Sequence, residues 1–308
     1  MGRVIVVGAG VVGLTSAVRL LEAGHRVDVL ARELPLETTS AVAAAIWMPY
    51  TGEKPNVVRW ARSAYDALTA LAADDQSGVA VREGTELHRG PDAPLPWWRE
   101  ALPHDAGPDR ETRLPDGYAS GWTMRVPVVE MPVHLRWLAR RVVALGGTVT
   151  RMNLTRLPDV EGVLVVNASG IGAKHLAADS SVGPTRGQVV VVEQVGLDRW
   201  AVDDDGPTYV VPRSNDIVLG GTAEPGVWDR TPSPDVAADI VRRAAELVPE
   251  IARATVLGHK VGLRPGRPAI RLERVGDVVH CYGHGGCGVT VSCGCADDVV
   301  ALAEGGAS

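Results

Sequence analysis

The sequence predicts an α/β fold in two parts, a mainly parallel sheet built from separated segments and a second, mainly antiparallel β region that also carries helices. At the amino end, the β-branched run Arg3–Val7 leads through glycines and a helical stretch to a second apolar run, which is typical of a βαβ unit. Residues 51–130 are rich in proline and lose this alternation. Buried-type runs return at 162–167 and 278–282, so distant segments are expected to complete the parallel sheet.

The first βαβ unit has clear boundaries. We predict a strand at Arg3–Val7, a helix from about Val12 to Ala23, and a second strand from Arg26 to Leu30. Gly24 follows the last periodic residue of the helix, where glycine commonly ends a helix.

The remaining elements follow from the same periodicities. Helical spacing predicts helices at 56–73, 134–145 and 235–247, and apolar runs predict strands at 148–152, 162–167, 188–193, 208–212 and 216–220. We therefore assign residues 1–50, 131–185 and 264–308 to a nucleotide-binding domain, and residues 51–130 and 186–263 to a substrate-binding domain.

Composition and charge exclude several classes of function. The formal net charge is −6 and no basic block occurs, so we expect no nucleic-acid partner. No apolar run reaches the roughly 18–20 residues of a membrane span, so no membrane partner is expected either. A strand starting at Arg3 leaves no room for a signal peptide, and a cytoplasmic location is predicted. A homodimer is left open.

All four cysteines lie close together, at positions 281, 287, 293 and 295. Clustered thiols raise the question of a metal site, but these spacings match neither a zinc ribbon nor a zinc finger. The sequence therefore predicts buried thiols and no metal.

A glycine pattern lies between the first strand and the first helix. Gly8, Gly10 and Gly13 have the spacing that gives a tight turn, close approach of the backbone to a pyrophosphate, and tight helix–strand packing. Val11 and Val12 open the helix, whose free N–H groups favour phosphate. This predicts a Rossmann-like dinucleotide site.

Polar residues after the second strand are candidates for the rest of that nucleotide. Glu33 has the position expected of a ribose anchor, and Arg32 could reach adenine or phosphate, although both could equally be solvated surface charges. Thr38, Thr39 and Ser40 could contact the cofactor or cap a helix. A second glycine cluster at 283–288 indicates that both chain ends meet one extended cofactor, which favours a flavin over nicotinamide alone.

Several motifs occur together in a fixed order. They are Gly8-Ala-Gly-Val-Val-Gly13-Leu14, Ala31-Arg-Glu-Leu-Pro35, Thr38-Thr-Ser40, Ile46-Trp-Met-Pro-Tyr50, Tyr209-Val-Val-Pro-Arg213, Gly262-Leu-Arg264-Pro-x-Arg267 and Tyr282-Gly-His-Gly-Gly-Cys-Gly-Val-Thr290. In this order the chain resembles the D-amino-acid oxidases and the related D-aspartate oxidases over nearly its whole length. The last two motifs are the specific ones.

The resemblance implies noncovalently bound FAD and an oxidative reaction. A D-amino acid would lose its α-hydrogen as hydride to flavin N5, giving an imino acid that hydrolyses to a 2-oxo acid and ammonia. O2 would then take the electrons and yield hydrogen peroxide. The protein's own contribution would be to place the Cα–H against the flavin.

The resemblance also implies roles for individual residues. Arg264 would clamp the substrate carboxylate with its planar fork, Tyr209 would hold the same carboxylate, and the carbonyl of Gly286 would accept a hydrogen bond from the substrate amine. Met48 and Tyr50 would line the substrate pocket. Residues expected to contact the cofactor, besides those of the first glycine motif, Arg32, Glu33 and Thr38–Ser40, are Ala45, Trp47, Val166, Ser169, Arg264, Gly285, Gly286, Gly288, Val289 and Thr290.

Departures from the family pattern leave alternatives open. Asp205 stands where a second active-site tyrosine would align, and Cys287 and Cys293 replace bulkier aromatics, which also admits a flavin-binding protein without oxidase activity. Arg213 is the candidate cation for a D-aspartate oxidase. Met48 beside Trp47 favours neutral, apolar D-amino acids instead. A hydrolase is disfavoured because no G-x-S-x-G motif occurs.

Overall fold

The computed structural model describes residues 2–49 and 55–305, which form two sheets flanked by helices. The helices are α1 Val11–Glu22, α2 Pro55–Leu71, α3 Met131–Ala144, α4 Ala173–Leu176, α5 Pro234–Leu247 and α6 Gly288–Ala303. The strands are β1 Arg3–Val7, β2 Arg26–Ala31, β3 Val79–His88, β4 Asp109–Arg110, β5 Ser120–Val129, β6 Thr148–Arg151, β7 Val163–Asn167, β8 Gly183–Glu193, β9 Trp200–Asp203, β10 Tyr209–Pro212, β11 Asp216–Gly220, β12 Glu224–Pro225, β13 Val256–Gly266, β14 Arg271–Val275 and β15 Val278–Tyr282.

The first sheet has six strands in the order β14-β15-β7-β1-β2-β6. Its strands pair in parallel except for β14, which runs antiparallel to β15. The central strand β1 is buried from Val4 to Val7, which explains its continuous apolar run. The carboxyl ends of β1, β7 and β15 lie side by side, so the loops that follow them share one edge of the sheet.

The second sheet has nine strands, with β12-β8-β11-β10-β9-β3-β5-β4 in order and β13 also paired to β8. All its pairs are antiparallel except β3 with β9, as the sequence predicts for a mainly antiparallel region. The long strands β8 and β13 pair with each other, beginning where Gly183 lies opposite Gly266. Together they extend the second sheet to the edge of the first.

The predicted elements agree with the structure to within a few residues. The exception is β8, which begins at Gly183, before the predicted strand 188–193. The long strands β3, β5 and β13 are not predicted. Both β8 and β13, which ends at Gly266, run past the proposed domain boundaries. Helix α2 lies in the segment assigned to the substrate-binding part, yet it packs against α6 of the other part. A Cβ atom on Gly294 would come within 2.4 Å of Trp60 Cα, so these two helices touch through backbone.

The core contains no phenylalanine, because the sequence has none. Valine, leucine, isoleucine and alanine make up most of it, and Trp47, Trp200 and Tyr282 are the largest fully buried side chains. A separate apolar cluster lies under α5 and includes Ile240 and Leu247. Within the described ranges, no helix is both long and apolar enough to cross a membrane.

Candidate active site

A cavity of about 460 Å³ lies where the two sheets meet. That volume is in the range of small-molecule and cofactor sites, about 300–1,000 Å³. Most of the predicted site residues line it: Gly8, Gly10, Val11, Val12, Arg32, Glu33, Thr38, Thr39, Ser40, Ser169, Tyr209, Arg264, Gly285, Gly286, Gly288 and Val289. The fold therefore brings both glycine clusters to one cavity, although they lie some 270 positions apart in the chain.

The first glycine cluster forms the turn from β1 into α1. Gly8 has a φ of +116°, which favours glycine, and a Cβ atom there would lie 2.4 Å from the carbonyl oxygen of Ala168. Gly13 lies beneath this turn, where a Cβ atom would come within 2.0 Å of the Gly8 carbonyl oxygen. Gly13 does not line the cavity itself; its lack of a side chain lets α1 approach β1 and aim its N-terminus at the cavity.

The three hydroxyls at 38–40 hold neighbouring segments together. Ser40 Oγ accepts a hydrogen bond from the backbone N–H of Val11, at 3.0 Å. Thr39 Oγ1 donates to the carbonyl of Leu263, the residue before Arg264, at 3.1 Å. Thr38 Oγ1 donates to the Pro35 carbonyl. Ser40 thus caps the N-terminus of α1 from a distance, and all three side chains also border the cavity.

Glu33 and Arg32 lie together at the β2 end of the cavity. The Glu33 carboxylate accepts hydrogen bonds from Arg32 at 3.4 Å and from Arg230 at 3.1 Å. The Glu33 side chain is still 29% exposed, so it can accept from a ribose hydroxyl, as a residue at this position does in dinucleotide folds.

Arg264 on β13 and Tyr209 on β10 meet at another part of the cavity wall. Nη1 of Arg264 donates to the Thr222 carbonyl at 2.9 Å, which fixes the guanidinium. Burial raises the pKa of Tyr209, and the neighbouring Arg264 opposes that rise through its charge and a hydrogen bond. Tyr209 therefore keeps its proton at neutral pH and can donate, beside a permanent cation.

Two glycines that the sequence analysis missed make room for this pair. A Cβ atom on Gly187 would lie 2.4 Å from Arg264 Nη1, and one on Gly220 would lie 1.8 Å from Cζ of Tyr209. Gly187 lies inside β8, one residue before the predicted strand 188–193, and Gly220 ends the predicted strand 216–220; a glycine in a strand is a signal of close approach by another group. The sequence around these glycines does not indicate which group approaches, because that depends on how the strands pair across the sheet.

The second glycine cluster lies between β15 and α6. Gly283 and Gly285 have φ values of +84° and +56°, and the N–H of Gly285 donates to the Pro265 carbonyl at 2.9 Å. This bond ties the loop that carries Gly286 to the strand that carries Arg264. The three groups predicted to hold the substrate, on Arg264, Tyr209 and Gly286, all border the same cavity.

Other predicted site residues do not line the cavity. Trp47 is fully buried and its Nε1 donates to the Ala61 carbonyl, while Met48 exchanges backbone hydrogen bonds with Thr290 Oγ1. Val166 is in the core, and Ala45 is buried with a positive φ of 59°. These residues pack behind the cavity wall and do not line it. Tyr50 lies outside the described residues.

The residues that depart from the family pattern do not line the cavity either. Asp205 is in the turn between β9 and β10, where its carboxylate accepts from the Arg89 N–H at 2.7 Å. Cys287 and Cys293 are buried at the start and in the middle of α6, and burial raises the pKa of Cys293 to about 11. Arg213 is buried in a bidentate pair with Asp216, at 2.6 and 2.7 Å, rather than pointing to solvent.

The chemistry of the lining fits a dinucleotide that carries an apolar ring system. The turn Gly8–Gly10 and the N-terminus of α1 suit a pyrophosphate, and Glu33 suits a ribose. Val42, Val189 and Leu263 add apolar wall between these groups and Arg264. The glycine turn and Arg264 therefore border one continuous cavity.

Comparisons with known proteins agree with this fit. A family model described as FAD dependent oxidoreductase matches residues 3–302. The chain is 46% identical to a D-amino-acid oxidase of Rubrobacter xylanophilus, with 98% of this chain and 96% of that protein covered. It is 44% identical to a D-amino-acid oxidase of Streptomyces coelicolor, with 98% and 97% covered. The solved structure of glycine oxidase from Geobacillus kaustophilus superposes with a TM-score of 0.84 at 22% identity, covering 100% of this chain and 96% of that one.

Proposed function

This chain belongs to the FAD-dependent oxidoreductase family, and from that premise we propose that it is a D-amino-acid oxidase acting on neutral, mainly apolar D-amino acids. The observation that carries the proposal is the presence of Arg264 and Tyr209 in the same cavity as the glycine turn of the nucleotide site. Both lie where a cofactor bound at that turn would present its ring.

FAD, when bound, would supply the two-electron oxidation of the substrate, with O2 as the final acceptor and hydrogen peroxide as the product. Gly8, Gly10 and the N-terminus of α1 would hold its pyrophosphate, and Glu33 its ribose. The loop from Gly285 to Val289 would border its ring.

The chain's own residues would bind and orient the substrate. The guanidinium of Arg264 can make two parallel hydrogen bonds to a carboxylate, and the Tyr209 hydroxyl can donate a third. The carbonyl of Gly286 can accept from the amine. Gly187 and Gly220 leave space for the two side chains, and the Thr222 carbonyl accepts the hydrogen bond that holds Arg264 in place.

These contacts also account for selection of one enantiomer. Once the carboxylate and the amine are both anchored, the hydrogen and the side chain on Cα have exchanged places in the opposite enantiomer. Only one enantiomer then directs its Cα–H at the cofactor and its side chain at the open part of the cavity.

A neutral side chain is preferred because the described part of the cavity wall offers no second arginine or lysine near Arg264. Among the described residues, the arginines that line the cavity are Arg32 and Arg264, and Arg32 lies at the ribose end with Glu33. Arg213, the candidate for a D-aspartate oxidase, is neutralised by Asp216 and does not reach the cavity lining. Val189 and Leu263 supply apolar wall instead.

The deciding experiment is a substrate panel on the purified yellow protein, with peroxide release and anaerobic bleaching of the flavin as separate readouts. We expect D-alanine and D-methionine to bleach the flavin and give peroxide, and their L-enantiomers to do neither. Activity confined to D-aspartate would overturn the substrate class. A yellow protein bleached by no D-amino acid would instead support a flavin-binding protein without oxidase activity.

Two finer points from the sequence belong to the same proposal. We propose a cytoplasmic location, with a D-amino acid and O2 as the small-molecule partners, and a homodimer as the assembly to test. Cell fractionation and sedimentation of the purified protein would check location and assembly.

A further inference from the structure

Three side chains with metal-binding atoms meet behind the loop that carries Gly286. They are Cys281 at the end of β15, His284 in the following loop and Cys295 on α6, and each is buried, with exposures of 1%, 6% and 0%. One sulfur or nitrogen atom from each lies within 4.8 Å of the other two. The proposed oxidation of amino acids uses none of the three.

The spacing of these atoms is close to that of a zinc site. Sγ of Cys281 lies 4.0 Å from Nε2 of His284. With zinc–sulfur bonds of about 2.3 Å and zinc–nitrogen bonds of about 2.0 Å, tetrahedral geometry separates the donors by roughly 3.5–3.8 Å. Side-chain rotations that close the set by less than about an ångström would therefore complete the site.

We propose that Cys281, His284 and Cys295 form a binding site for one zinc ion. Thiolate and imidazole are the ligands that zinc prefers, while magnesium and calcium take oxygen ligands. Two thiolates and a neutral imidazole bring the net charge of a bound Zn²⁺ to zero. A buried site tolerates a neutral complex far better than an unpaired charge, so the donor set matches its surroundings.

The charges next to the site do not disturb this balance. Arg59 and Asp298 are the ionised neighbours, and they form a close pair with each other, with Arg59 Nη2 at 2.6 Å from Asp298 Oδ2. Trp60 Nε1 also donates to that carboxylate, at 2.7 Å. Their charges are opposite, and both Asp298 oxygens are already held by donors from Arg59 and Trp60.

The site has an entry path and a structural consequence. Cys281 and His284 line the cofactor cavity, whereas Cys295 lies behind them on α6. A metal can therefore enter through the cavity before the cofactor closes it. Once bound, zinc would fix the loop 283–287 to α6, and with it the Gly286 carbonyl. The three donors leave a fourth position for a water molecule.

The sequence predicts no metal because the four cysteines, taken alone, have the wrong spacing. The structure separates them: Cys281 and Cys295 join His284, while Cys293 lies outside the group. The informative signal is the pair Cys281-x-x-His284, with the third ligand supplied by a helix eleven residues later.

The test uses the flavin-loaded protein produced in zinc-supplemented medium. We expect about one zinc per chain by elemental analysis, and an X-ray absorption spectrum with two sulfurs near 2.3 Å and one nitrogen near 2.0 Å. Protein without zinc, or zinc surrounded by oxygen only, would overturn the proposal. So would a disulfide between Cys281 and Cys295 in protein purified under argon. A zinc-free protein that still oxidises D-amino acids would overturn this site and leave the proposed function standing.

Variants locate the metal. Cys281→Ser and Cys295→Ser should lower the zinc content to below about one tenth per chain, because removing one of three ligands costs most of the affinity. Cys293→Ser is the matched control on the same helix and should retain the zinc. Equal loss in all three variants would contradict the assignment. The wild-type spectrum decides the question even where a variant fails to fold.

Discussion

The guanidinium of Arg264 lies directly over the backbone of Gly187, so close that a Cβ atom on residue 187 would meet Nη1 at 2.4 Å and Cζ at 2.6 Å. These residues are on paired strands, β8 and β13, whose antiparallel register fixes their relative position. The strand pairing thus determines where the proposed carboxylate clamp can lie, and the missing side chain at 187 makes room for it.

The variant Gly187→Ala tests this dependence. The added methyl group must displace the guanidinium, since the Gly187 backbone is held in the sheet, and the carboxylate would lose its aligned donors. We expect KM for D-alanine to rise by about tenfold or more, which corresponds to about 1.4 kcal/mol, with FAD still bound.

The control for this variant is Gly183→Ala on the same strand. A Cβ atom there would meet no described atom within 4 Å, so kinetics and flavin content should stay close to wild type. Equal effects of the two substitutions would show that general disturbance of β8, rather than displacement of Arg264, is responsible.

Replacing Arg264 itself should raise KM more than Gly187→Ala does. Replacement by alanine removes the fixed cation, and hydrogen bonds to charged groups contribute about 1.5–3 kcal/mol each. We expect Arg264→Ala to raise KM for D-amino acids by roughly 100-fold or more while the flavin spectrum persists. Arg264→Lys keeps the charge and loses the planar fork, so its KM should lie between those of the wild type and of Arg264→Ala. Unchanged kinetics in Arg264→Ala would remove the clamp assignment.

The sequence predicts most of the fold because its elements carry strong local signals. The β-branched run at Arg3–Val7 and the glycines after it define the first βαβ unit without reference to the rest of the chain. The two glycine clusters were expected to meet, and they do so because β1, β7 and β15 end at one edge of the sheet.

What the sequence does not predict depends on contacts between distant segments. Trp47 and Met48 are predicted to contact the cofactor and the substrate, yet the chain turns them into the core, where Trp47 packs edge-on against Tyr65 and Trp98. The role of Ser40 at the N-terminus of α1 likewise depends on a tertiary contact across 29 positions. Periodicity and spacing contain no information on such contacts.

The glycine turn gives a prediction about the cofactor. In Gly13→Val, the Cβ atom would lie 2.0 Å from the Gly8 carbonyl oxygen, so α1 must move away from β1 and the phosphate-binding turn must open. We expect purified Gly13→Val to contain no FAD, measured by its absorbance spectrum, with circular dichroism to confirm that it is folded. Gly2→Ala, in the same βαβ unit with open space around its Cβ, should bind FAD normally. A fully flavinated Gly13→Val would refute the role of this turn.

Asp298 gives a prediction about pH, because it joins α6 to α2. Burial alone would raise the pKa of Asp298, but the hydrogen bonds from Arg59 and Trp60 outweigh it and hold the pKa below its ordinary value. A carboxyl group whose pKa is lowered by folding stabilises the protein above its unfolded pKa, about 3.9, and this stabilisation is lost as the pH falls through the folded pKa.

The variant Asp298→Asn should therefore lower the free energy of unfolding by about 1–2 kcal/mol at pH 7, in urea with saturating FAD, because the group is only partly exposed. The difference from wild type should shrink below about pH 4, where Asp298 in the wild-type chain takes up its proton. Asp66→Asn removes an exposed pair with Arg62 on α2 and should cost less than about 0.5 kcal/mol at any pH. A difference for Asp298→Asn that stayed constant down to pH 2 would mean that its hydrogen bonds, and not its charge, join the two helices.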